Sequence, residues 1–72
     1  FAKYNIIINT VSPGGIKNNQ DKKFISNYSS RTPLKRMANA DEISSLVRFL
    51  CTEESSYIVG QDIIIDGGFS KI

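Results

Sequence analysis

Histidine and tryptophan are absent from these 72 residues, and cysteine and methionine each occur once. Without histidine there is no Ser-His-Asp or Cys-His nucleophile system to assemble. The single cysteine, Cys51, can form neither an internal disulfide nor a thiolate zinc site by itself. We expect no metal centre, and we expect Cys51 to pack as a small apolar residue. Acidic residues stand singly or as adjacent pairs, so no two carboxylates are spaced for acid/base work. Neither GxGxxG nor GxxxxGK(S/T) occurs, which removes the usual phosphate cradles. Nor does any tyrosine precede a lysine by four positions: Tyr4, Tyr28 and Tyr57 are followed at that distance by Ile8, Thr32 and Gln61.

Charge is also scarce. Nine Lys and Arg against seven Asp and Glu leave a net charge of +2, with no basic block longer than Lys22-Lys23. That is too little for a nucleic-acid footprint, which needs a basic stripe with aromatic stacking platforms. No apolar run is long enough to span a bilayer and no leader-like segment opens the chain, so we expect a soluble, cytoplasmic protein without nucleic-acid or membrane partners.

What is present is β-branched. Ile6-Ile7-Ile8 and Ile63-Ile64-Ile65 are unbroken runs without apolar/polar alternation, as in parallel strands covered on both faces. One connecting helix covers one face of a two-stranded sheet, and a 72-residue chain builds only a marginal core. The chain also begins at Phe1. We therefore expect a piece of a larger α/β domain, with the rest of its sheet supplied from elsewhere.

In chain order, Phe1 to Asn5 resemble the tail of a helix, with Tyr4 as a packing residue. A strand is expected from about Ile6 to Val11. Pro13 then ends it, and Gly14 and Gly15 carry no Cβ to hold a ligand away from the backbone. The same Pro-Gly pair also reads as a plain turn. Lys17 to Lys23 are polar and lead to Phe24, Ile25 and Tyr28 at near-helical spacing. This predicts a long loop with one or two helical turns, either a lid or a surface loop. Pro33 excludes a helix running through Arg31 to Leu34.

A second helix has the clearest local signal. Asn39 stands at its cap, Glu42 at the capping-box position, and Asp41 beside the helix N-terminus. Ile43, Leu46, Val47 and Leu50 then define one buried face. Glu53 to Ser56 read as solvated loop. A second strand follows at about Gln61 to Asp66, ended by Gly67-Gly68. The connection between the strands far exceeds the dozen or so residues a parallel crossover requires. Ligands bind beyond the carboxyl ends of strands in such sheets, which points to Pro13-Gly14-Gly15 and Asp66-Gly67-Gly68 on one edge.

The ordered set Tyr4-Asn5-Ile6-Ile7-Ile8-Asn9-Thr10-Val11-Ser12-Pro13-Gly14, Arg31-Thr32-Pro33-Leu34-Lys35-Arg36-Met37, Asp41-Glu42-Ile43, Ser55-Ser56-Tyr57-Ile58-Val59-Gly60-Gln61 and Asp66-Gly67-Gly68-Phe69 resembles the C-terminal part of the classical short-chain dehydrogenase/reductase family. The resemblance implies the strand-loop-helix-strand end of a Rossmann-type, doubly wound parallel sheet. It implies an NAD or NADP cofactor with Pro13, Gly14 and Gly15 lining the nicotinamide and the backbone of Ile16 bonding its carboxamide. Asn18 stands where the family often has a cofactor-contacting threonine. Residues 17–38 become the substrate-binding loop, ordered mainly on ligand binding, with Phe24, Ile25 and Tyr28 facing a small carbonyl or alcohol substrate. Lys22, Lys23 and Arg31 of that loop are compatible with an anionic substrate. The family's catalytic serine and tyrosine-lysine pair lie upstream of this segment, so it should be inactive alone. The last helix and strand imply a homo-oligomer, tetramer or dimer, and leave a non-catalytic assembly module as the alternative reading.

Overall fold

A computed structural model describes residues 6–71. The two strands, β1 (Thr10–Pro13) and β2 (Asp62–Ile65), pair in parallel, with Val11 opposite Ile63 and Pro13 opposite Ile65. Between them lie α1 (Lys22–Arg31) and α2 (Ala40–Leu50), and 3-10 turns follow at Glu53–Ser55 and Phe69–Lys71. The parallel crossover is as the sequence predicts; the expected helix tail over Phe1 to Asn5, with Tyr4, lies outside the described residues.

β1 begins four residues later than expected, at Thr10 rather than Ile6. Gly60, at φ +69°, turns the chain just before β2, so its partner cannot extend farther back. One backbone bond, from the Gly60 N–H to the Ile8 carbonyl at 2.8 Å, precedes the ladder. Asn9 then substitutes a side chain for regular pairing: its Oδ1 accepts from the Gln61 N–H and its Nδ2 donates to the Ile58 carbonyl, both at 2.9 Å.

The segment expected to be mostly loop holds nearly three turns of helix in α1. Its missing signal is Asp21, whose carboxylate accepts from the Phe24 N–H at 2.8 Å and caps the helix. α1 ends at Arg31, ahead of Pro33, as that proline requires. α2 starts at the predicted cap, and Glu42 reaches back to the Asn39 N–H at 2.9 Å.

The core is where expectation and structure part most. Met37, 5% exposed, is the buried hydrophobic residue among those described, while Ile6, Ile7, Ile8, Val47 and Ile64 are exposed. The predicted buried face of α2 is only half covered, and Cys51 is exposed rather than packed. The cause is geometric: an apolar groove of about 470 Å³, lined by Ile7, Val11, Val47, Leu50 and Cys51, stays open between β1 and α2 because the described chain offers no further element to fill it. Ser55, expected in solvated loop, is instead buried, and its hydroxyl donates to the carbonyls of Leu50 and Thr52, closing the end of α2.

Candidate functional site

The parallel pairing brings both glycine turns to one edge, beyond the carboxyl ends of β1 and β2. There the backbone after Pro13 is bonded at all but one of its N–H groups as far as Lys17. The Gly14 N–H donates to the Ile65 carbonyl at 3.0 Å and the Lys17 N–H to the Ala38 carbonyl at 2.7 Å, while the Gly15 carbonyl accepts from the Ala38 N–H at 2.9 Å. Ile16, bridged in parallel to Ala38, accepts at its carbonyl from Gln20 Nε2 at 3.0 Å. Its N–H has no acceptor among the described residues. A free N–H held between two paired neighbours is a fixed donor for an incoming acceptor.

The glycines leave room, but for the protein itself. A methyl group on Gly14 would lie 2.8 Å from Asp66 Cβ, so its absence lets the two strand ends meet. One on Gly15 would lie 2.5 Å from Tyr28 Cζ. Tyr28 covers Gly15, and its hydroxyl accepts from the Gly15 N–H at 2.7 Å. The Tyr28 ring also stacks between two others, Phe69 at 5.2 Å and Phe24 at 6.2 Å between centroids. Of the residues predicted for the substrate loop, Tyr28 therefore reaches the turn and Phe24 backs it from an exposed position, while Ile25 is half-buried on α1. Asn18 is exposed; its N–H donates to Gln20 Oε1 at 2.6 Å, which spends the local turn on Gln20.

The second glycine turn is tied to the end of the loop. Gly67 and Gly68 take φ of +63° and +90°, and a methyl group on Gly68 would lie 2.8 Å from Pro33 Cγ. The Asp66 carboxylate accepts from the N–H groups of Gly68 and Ser70, each at 2.9 Å. The Ser70 bonds foremost hold its carboxyl below its usual range. A cavity of about 80 Å³ lies between these pieces, walled by Tyr28, Leu34, Arg36 and Asp66.

Two structural residues were not singled out from the sequence. Arg36 makes a bidentate pair with Glu42, Nη1 to Oε1 at 2.7 Å and Nη2 to Oε2 at 2.9 Å, fastening the loop's end to α2. That pair, with the Asn39 N–H, lowers the Glu42 pKa to about 2, and the Arg36 pKa rises in return. Thr32, 1% exposed, bonds through its hydroxyl to Ser29 and Arg36 backbone groups. The signal for Arg36 was Glu42 itself, an acid at the third helical position with a cation shortly before the cap.

A parallel strand pair with a helical crossover and two glycine turns beyond the carboxyl ends of its strands is a piece of an open α/β sheet. The comparisons name the family within it. The family model described as enoyl-(acyl carrier protein) reductase matches residues 1–70. A tropinone reductase homolog of Arabidopsis thaliana is 46% identical over 76 residues, covering 97% of this chain and 29% of the relative. A 3-oxoacyl-(acyl-carrier-protein) reductase of Buchnera aphidicola is 42% identical over 71 residues, again 29% of the relative. A short chain dehydrogenase from Leptospira borgpetersenii, solved with bound NAD+, is 48% identical with a TM-score of 0.88, over 96% of this chain and 27% of that one. A 4-hydroxyisoleucine dehydrogenase complexed with NADH reaches a TM-score of 0.89 at 28% identity, over 100% of this chain and 32% of that one. The chain belongs to the short-chain dehydrogenase/reductase family, and it spans under a third of the length of the relatives it matches.

Proposed function

We infer that these residues form the nicotinamide side of the active site of an NAD(P)-dependent oxidoreductase that moves hydride between the cofactor and a small carbonyl or alcohol substrate. The observation that carries the reading is the Ile16 N–H, free among the described residues while its neighbours at Gly15 and Lys17 are bonded. A carboxamide oxygen is a matching acceptor, and Pro13 and Gly14 present the adjoining apolar backbone. Solved relatives holding NAD+ and NADH support a nicotinamide cofactor. Asn18, exposed beside the turn, is the less direct contact. Residues 17–38 are read as the substrate loop, with Phe24, Ile25 and Tyr28 as its apolar side.

In this reading residues 1–72 are the C-terminal segment of one Rossmann-type domain, and the acid/base residues, with the choice of NAD or NADP, belong to the remainder of the protein. The exposed isoleucines support it, because parallel strands require cover on both faces. The mean geometry agrees: a Cα radius of gyration of 14.9 Å exceeds the roughly 11 Å of a compact domain this long. When bound, the nicotinamide carries the hydride; the contribution of this chain is to hold its carboxamide and to wall one face. We further read the protein as cytoplasmic and as a homo-oligomer through α2 and β2. Among the described residues no helix is long and apolar enough to cross a membrane.

Titration of the full-length protein with NADH and NADPH, followed by nicotinamide fluorescence, tests the reading. Saturable binding of one of them, with carbonyl-dependent oxidation, is expected. A full-length protein that assembles but binds neither would overturn it in favour of an assembly module.

A further inference from the structure

We propose that Tyr28 is a positioning residue that couples the substrate-side helix α1 to the cofactor turn. That residues 14–16 are a cofactor turn rests on the function proposed above; the coupling itself rests on contacts between groups of this chain. The Tyr28 hydroxyl accepts from the Gly15 N–H at 2.7 Å, one residue before the free N–H of Ile16. The ring stacks on Phe69, which stands beyond the β2 glycine turn, and on Phe24, one turn earlier in α1. Gly15 is shaped to this contact, since any side chain there would overlap the Tyr28 ring. α1 thus holds the turn at Gly15 and the β2 end at Phe69 through one side chain. Swinging α1 away forfeits the Gly15 bond and the Phe69 stack together, while the Phe24 stack travels with the helix.

Two consequences follow. Docked α1 adds the Gly15 N–H bond to the backbone bonds that already hold the turn to Ile65 and Ala38, so a cofactor that bonds Ile16 in this set favours the docked helix, and by reciprocity the docked helix favours that cofactor. The hydroxyl proton of Tyr28 also stays available, because the Gly15 bond uses the oxygen as acceptor, and accepting from an amide strengthens that proton as a donor. A polar atom of a substrate lying over the turn is its natural partner.

The test compares full-length wild type with Tyr28→Phe, which removes the hydroxyl and keeps the ring. Amide exchange is followed at residues 14–16 and 22–31, with and without NADH, alongside an NADH titration. We expect faster exchange in both segments in the variant, and NADH binding weakened roughly two- to tenfold, the worth of one hydrogen bond. We also expect that NADH slows α1 exchange in wild type and does so much less in Tyr28→Phe. A merely structural tyrosine would loosen α1 and leave both the turn and the NADH response unchanged, which would overturn the proposal. If wild type binds neither NADH nor NADPH, the cofactor reading fails, and the exchange at Gly15 alone decides the latch: unchanged in Tyr28→Phe, the latch is refuted; faster, it stands.

Discussion

Gly14 and Gly15 are adjacent and chemically identical, yet they are glycines for different reasons, and substitution should separate them. A methyl group on Gly14 meets the Asp66 backbone, which cannot swing aside. Gly14→Ala should therefore cost about 1–3 kcal/mol of stability in the full-length protein, read as a lowered melting temperature. On Gly15 the obstacle is the Tyr28 ring, a side chain that can rotate away at the loss of its bond and stacks. Gly15→Ala should leave the melt nearly unchanged and expose α1 to limited proteolysis. Lys35 offers the opposite case: it holds φ +61°, a left-handed conformation disfavoured for any residue with a Cβ. Lys35→Gly should stabilise the protein by up to about 1 kcal/mol, and destabilisation on chemical denaturation would contradict the strain assigned to this turn. The sequence had flagged the glycines as openings for a ligand. Their actual neighbours, Asp66 and Tyr28, are distant in the chain, and no local pattern states which distant side chain will occupy the space.

At the scale of elements, the joint between the loop and α2 depends on a titratable pair. The folded-state pKa of Glu42 is depressed to about 2 from 4.5, chiefly by the Arg36 hydrogen bonds. The contribution is thus complete above about 4.5 and is lost as pH falls through about 2. Glu42→Gln should lower the melting temperature at neutral pH and flatten its decline across that acid window. An unaltered acid limb would mean that the pair does not fasten the loop. Legibility differs from element to element for physical reasons. α2 was readable to its cap because the Asn39-to-Glu42 box and the Ile43-Leu46-Val47-Leu50 spacing are local. α1 was underestimated because its apolar face is narrow and its stability comes from the Asp21 cap and from aromatic contacts with Phe69. β1 was placed too early because three isoleucines state only β propensity, whereas the Gly60 turn and the Asn9 side chain decide where pairing begins.

For the whole molecule, the sparse core makes a specific demand on its surroundings. The open groove between β1 and α2 and the exposed isoleucines belong to a surface that gains by being covered. The isolated 72-residue chain should therefore melt without a sharp transition and oxidise no NADH in the presence of a carbonyl substrate; a cooperative two-state melt would show that it needs no partner surface. The site edge was legible because parallel topology and carboxyl-end geometry follow from two strand runs and one long connection. Its internal wiring, with Tyr28 on Gly15 and Arg36 on Glu42, was not, since each pair depends on tertiary placement. The central claim is that the Ile16 N–H receives the cofactor. Residue-resolved amide exchange at Ile16 in the full-length protein, with and without saturating NADH, tests it most directly. Strong slowing at Ile16 on NADH addition is predicted, and unchanged exchange there while NADH is demonstrably bound would contradict it.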